Sequence, residues 1–133
     1  MKCVKAEETF LITENKLGKL EEVCNSVKEK GINIRAICAY AIEDKAFFRL
    51  ITSDNATTRE VLSNLGEVES KEVVIVELPD EVGMLQQLAL KLKQESIDLN
   101  YIYGTSSQPN KEAIIVFSSN NNEKAIGVIS NWS

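Results

Sequence analysis

The chain has 133 residues, a net charge of −5 and no histidine. With 15 Lys and Arg against 20 Asp and Glu, it lacks the clustered basic residues by which proteins recognise nucleic acid or anionic membrane. Without an imidazole, no serine or cysteine has a histidine base, and Cys3, Cys24 and Cys38 have no histidine to complete a zinc site, so neither an enzyme nor a metal or cofactor protein is expected.

Taken in chain order, Thr9 to Thr13 reads as a buried strand, and the apolar pattern allows a start as early as Cys3. Asn15 is placed to cap a helix whose apolar positions Leu17, Leu20, Val23, Cys24 and Val27 fall on one face and which ends near Gly31. Ile32 and Ile34 open a second strand that continues through Ile37 to Tyr40. Glu43-Asp44-Lys45 is a polar turn and Ala46 to Thr52 a third strand. Asp54 or Asn55 then caps a short helix carrying Val61, Leu62 and Leu65, which Gly66 stops.

The same order follows again 65 residues later. Val82, Leu85, Leu88, Ala89 and Leu92 repeat the helical stripe, with Asp80 in the capping place of Asn15 and Gly83 in that of Gly18. At that constant offset Val74 to Leu78 repeats the first strand, Ile97 and Leu99 open the second, and Ile114 to Phe117 answers Arg49 to Thr52. Ser107 to Lys111, with Pro109 and Asn110, answers the turn, and Asn120-Asn121-Asn122 aligns with Asn55 to Thr57. The chain is thus a tandem of two units, 1–70 and 71–133, each near the lower size limit for independent folding. Val68 to Leu78 shows no turn signal and reads as one long strand closing the first unit and opening the second. Since Glu67 and Val68 correspond to Trp132 and Ser133, the second sheet lacks most of its last strand. Its open edge is one that another segment or another chain could occupy.

A strand, a tight loop and a helix that opens with Asn or Asp followed by Gly present unpaired backbone N–H groups at a half-positive helix end, a place to hold a carboxylate. The order of elements, with Pro79-Asp80-Glu81-Val82-Gly83-Met84-Leu85 at the first loop and Gly31-Ile32-Asn33-Ile34 leading the second strand, resembles a pair of ACT domains, small-molecule regulatory modules of amino-acid-metabolising enzymes. The Asp-x-x-Gly-x-Leu frame is met by Asp80, Gly83 and Leu85, and by Asn15, Gly18 and Leu20 with Asn in place of Asp. Leu17 and Val82 stand where the family often has proline.

The resemblance implies an α+β fold: two ferredoxin-like βαββαβ units, each a four-stranded antiparallel sheet with helices on one face. It also implies an amino acid held between the first loop of one unit and the second strand of a neighbour. Carried over residue by residue, the loop contacts are Asn15, Lys16, Leu17 and Gly18 with their counterparts Asp80, Glu81, Val82 and Gly83. The facing strand residues are Ile37, Cys38, Ile102 and Tyr103. Lys16 attracts a carboxylate where Asp80 and Glu81 repel one, so the first loop is the better anion site.

The expected function is a non-catalytic sensor that binds a free amino acid, or similar zwitterion, and acts on a partner enzyme or transporter. A homodimer is expected. The competing reading is a ligand-free scaffold assembling through sheet edges, based on the missing strand and the apolar tail Ala125, Ile126, Val128, Ile129 and Trp132. Paired carboxylates such as Glu7-Glu8 and Glu21-Glu22 are adjacent in sequence and so diverge, unlike a glycosidase pair. An odd cysteine count without a CxxC pair, no signal-like N-terminus and no run of 18 apolar residues suit a reducing cytoplasm.

Overall fold

The computed structural model describes residues 2–105 and 111–132. Among them are six strands and four helices: β1 (Lys2–Glu14), α1 (Lys19–Glu29), β2 (Ile34–Ile42), β3 (Lys45–Thr52), α2 (Asn55–Leu62), β4 (Glu67–Pro79), α3 (Met84–Gln94), β5 (Leu99–Gly104), β6 (Glu112–Ser119) and α4 (Asn122–Ser130). The turn expected at Ser107 to Lys111 lies outside the described residues except for Lys111.

The chain divides into two compact units, residues 7–71 and residues 1–6 together with 72–133. The sheet of the first runs β2-β3-β1-β4 and that of the second β1-β4-β6-β5. Each unit therefore uses a different part of the two long strands: residues 7–14 of β1 and 67–71 of β4 lie in the first, residues 2–6 and 72–79 in the second.

The 65-residue period places residues 2–6 with the first unit, but in the structure they belong to the second, together with 72–79 of β4. Cys3 packs on the second unit's core as Val68, its counterpart at that offset, packs on the first. The sheet edge that the sequence reading leaves open is paired with a segment of the same chain. A 13-residue strand can serve two sheets because its apolar positions come in separate groups. β1 and β4 share one burial pattern over their first 12 residues, with four consecutive buried residues in the middle and the isolated Cys3 or Val68 near the start.

In the first unit α1 and α2 cover one face of the sheet, where Leu11, Phe48 and Leu50 meet Val23, Val27 and Leu62. In the second, Val76 and Phe117 meet Leu88, Leu92 and Ile129. Alternation along the strands sorts these residues. Thr9, Leu11 and Thr13 pair with Leu50, Phe48 and Ala46 on the helical face, while Phe10 stacks on Phe47 and Phe47 on Tyr40 on the other. Glu8, completely buried, accepts a hydrogen bond from Arg49 at 2.8 Å, and the guanidinium lies 4.2 Å from the Phe10 ring centre.

The repeat is not gapless. Thr9 opposes Leu50 but its counterpart Val74 opposes Phe117, so beyond the hairpin the offset becomes 67, as from Leu50 to Phe117. Arg49–Thr52 therefore answers to Val116–Ser119, not to Ile114–Phe117. The N-cap Asp54, whose carboxylate accepts from Thr57 N, answers to Asn121, which accepts from Lys124 N. The Leu65 N to Leu62 O bond recurs as Trp132 N to Ile129 O. A two-residue slip preserves which side chains face the core, because strand side chains alternate with period two; the apolar pattern alone could not reveal it.

Candidate functional site

The loops before α1 and α3 are built alike, and not as the capping frame implies. Asn15 and Asp80 are not N-caps. The N-caps are Gly18 and Gly83, at φ 90° and 84°, and no side chain caps either helix. A left-handed residue strains any side chain bearing a Cβ, and glycine avoids that cost. A Cβ at either glycine would meet nothing within 4 Å, so backbone conformation, not close approach, accounts for them.

The left-handed turn also ends the helix early on its N-terminal side. Leu17 and Val82, assigned to the apolar stripe, stand entirely in solvent, Leu20 and Leu85 are about half exposed, and only Val23 with Val27 and Leu88 with Leu92 carry the buried stripe.

Asn15 has a different task. Its backbone N–H donates to Asp44 O at 2.8 Å and its side-chain amide to Glu43 O at 3.3 Å, fastening the loop to the β2–β3 turn. Asp80 N donates likewise to Lys111 O at 2.7 Å. α2 and α4, in contrast, are closed by the Asp54 and Asn121 side chains. Capped and uncapped helices thus alternate, and the first-turn N–H groups left without intrahelical partners lie at the two loops predicted to bind.

A cavity of about 500 Å³ opens at the first loop. Its walls are Asn15, Lys16, Leu17, Gly18, Lys19 and Leu20 from the loop and helix, and Ala39, Tyr40, Ala41, Ala46 and Phe48 from β2 and β3. Cross-strand register explains the hollow: Ala39 lies opposite Phe48 and Ala41 opposite Ala46, so three small side chains surround one buried ring.

Each lysine at its mouth is paired with a carboxylate. Lys16 Nζ lies 2.9 Å from a Glu14 carboxylate oxygen and Lys19 Nζ 3.3 Å from Glu22. Their hydrogen bond and mutual attraction hold Glu14 below, and Lys16 above, the ordinary value of each group.

All four first-loop residues named from the sequence thus border one cavity. The strand residues do not join them there. Ile37 pairs with Leu50 and is partly exposed, while Cys38 pairs with Arg49 on the face away from the helices. In the second unit Asp80, Glu81, Val82 and Gly83 form the equivalent loop, with Ile102 opposite Phe117 and Tyr103 opposite Val116. Sequence reading missed Ala39, Tyr40, Ala41, Ala46 and Phe48. The available signal was the alternation of alanine at 39 and 41 beside an aromatic strand, small residues where a closed core would place Val or Ile.

Among the described residues no group of three or more Cys, Asp or Glu is arranged to hold a metal ion, and no helix is long and apolar enough to cross a membrane.

Comparison with solved structures finds protein BT0572 from Bacteroides thetaiotaomicron, 28% identical over 96% of this chain and 88% of that one, with a TM-score of 0.87. The ligand-free regulatory subunit of aspartate kinase from Thermus thermophilus is similar in fold at 10% identity, covering 98% of this chain and 96% of that one, with a TM-score of 0.68. The corresponding subunit from Thermus flavus gives 14% identity, 98% and 95% coverage and a TM-score of 0.59. No curated protein matches the chain. The family model described as an ACT domain pair matches residues 4–132, and the chain belongs to that family.

Proposed function

We propose that the chain is a non-catalytic regulatory module that binds a free amino acid, or a similar zwitterion, at the loop between β1 and α1. The observation that carries this reading is the coincidence of an uncapped helix start with a cavity bordered by Lys16. The helix end and the ammonium both favour a carboxylate. An exposed helix terminus contributes only about 0.3 to 1 kcal/mol per charge. The affinity expected of so open a site is therefore micromolar or weaker.

Occupancy stabilises the loop and the β2–β3 turn that Asn15 ties to it, favouring one conformation for a partner enzyme or transporter to read. Resemblance of the fold to aspartate kinase regulatory subunits supports a regulatory role. The same reading takes the protein to be a homodimer, since Leu17, Leu20, Tyr40 and Ile42 are exposed around the loop.

The test is thermal denaturation of the full chain with each of the twenty amino acids at millimolar concentration. A ligand at about 100 times its Kd adds roughly 2.7 kcal/mol of stability and raises the melting temperature by several degrees. A panel in which none shifts the transition overturns the reading. Sedimentation showing a strict monomer at high micromolar concentration overturns the homodimer.

A further inference from the structure

Resting on that reading of the first loop, we propose that the cavity selects amino acids with apolar side chains, and that each chain binds one. The walls argue for it. Ala39, Ala41, Ala46, Phe48 and Leu20 offer a ligand side chain carbon surface.

The only charged groups among the lining residues are Lys16 and Lys19, both cationic. A lysine or arginine ligand would have to desolvate its side-chain charge against alanines and beside two ammonium groups, with no carboxylate in the wall to receive it. An aspartate ligand would place its second carboxylate on the same carbon surface, and the two lysines that a ligand carboxylate must share are already paired, Lys16 with Glu14 at 2.9 Å and Lys19 with Glu22 at 3.3 Å. An apolar side chain carries no such penalty, and every methylene it buries strengthens binding severalfold.

The second unit argues for a single site. The position of Lys16 holds Glu81 beside Asp80, so the equivalent loop meets a ligand carboxylate with two carboxylates. Ala39 and Phe48 are answered there by Gly104 and Ile115, and a Cβ added at Gly104 would lie only 3.0 Å from Ile115 Cδ1. Among the described residues there, the charge that attracts and the ring that floors the hollow are both missing.

Calorimetric titration of the full chain with leucine, alanine, lysine and aspartate tests this. Leucine is expected to bind with one site per chain and at least about tenfold more tightly than alanine, and lysine and aspartate more weakly than leucine. Ala39 is exposed on β2, so Ala39→Glu is expected to keep the fold, weaken leucine at least tenfold and strengthen lysine. Ala41→Glu serves the same purpose if the first variant does not fold. Lysine or aspartate binding as tightly as leucine overturns the selectivity while leaving the regulatory reading intact. Unchanged leucine affinity in both folded variants overturns the placement, and two leucines per chain overturn the single site. Failure of all twenty amino acids to bind overturns the regulatory reading itself.

Discussion

The buried pair Glu8–Arg49 has an internal control within the same chain. By strand register Glu8 answers to Val73 and Arg49 to Val116, both completely buried, so the fold has solved one position once with charges and once with valines. Arg49→Val leaves the fully buried Glu8 carboxylate without its guanidinium and removes the cation from the Phe10 ring. The expected cost is about 3 to 5 kcal/mol, the usual penalty for removing one partner of a buried pair. The double variant Glu8→Val with Arg49→Val copies the second unit. It should lie within about 1 kcal/mol of wild type or exceed it, because the desolvation of two charges is relieved together with their attraction. Urea unfolding of wild type, both single variants and the double variant at constant slope gives the coupling energy. An Arg49→Val cost below about 1 kcal/mol, or a double variant that loses the sum of the two singles, would refute the reasoning.

Deleting residues 2–6 removes the strand that completes the second sheet. The loss of its ladder hydrogen bonds, worth about 0.5 to 1.5 kcal/mol each, should increase amide exchange in residues 72–132 more than in 7–71; equal exchange in both refutes the strand assignment. Gly18→Ala should cost about 1 to 2 kcal/mol from backbone strain alone, since its Cβ meets open space. At Gly66 a Cβ collides with the Ile12 carbonyl, so Gly66→Ala should cost more, and thermal melts giving the reverse order refute this. Burial raises the Cys3 thiol to about 11, so alkylation of Cys3 at pH 8 should be slow and should accelerate as pH rises, because the thiolate is the reactive form. Asp54 is held below its ordinary value by hydrogen bonds from Thr57. Its contribution to stability is therefore present above its unfolded pKa of about 3.9 and is lost as pH falls through the lower folded value. Asp54→Asn should flatten this acid dependence, and an unchanged profile would count against the cap.

Local pattern was enough for much of this molecule. A short buried strand, a helix with two buried positions per two turns and an Asp placed before Asn-Ala-Thr-Thr all declare themselves within a few residues, as β1, α1 and the Asp54 cap do. The duplication was legible for the same reason, since residue types recur wherever the local demand recurs. Of the candidate site, Lys16 and Gly18 were legible because their chemistry is carried by residue type. Ala39 and Ala41 were not, because an alanine has meaning only beside the ring that it fails to cover.

The sequence by itself therefore determined two ACT-like units, their element order and the position of the first loops. Tertiary structure alone decided that residues 2–6 complete the other unit's sheet, that the hairpin after β5 shifts the repeat by two, and that glycine rather than Asn15 or Asp80 begins each helix. Strand partnership and register depend on groups far apart in the chain, and a left-handed dihedral is a property of the closed loop. Neither leaves a distinctive residue pattern at the place where it acts.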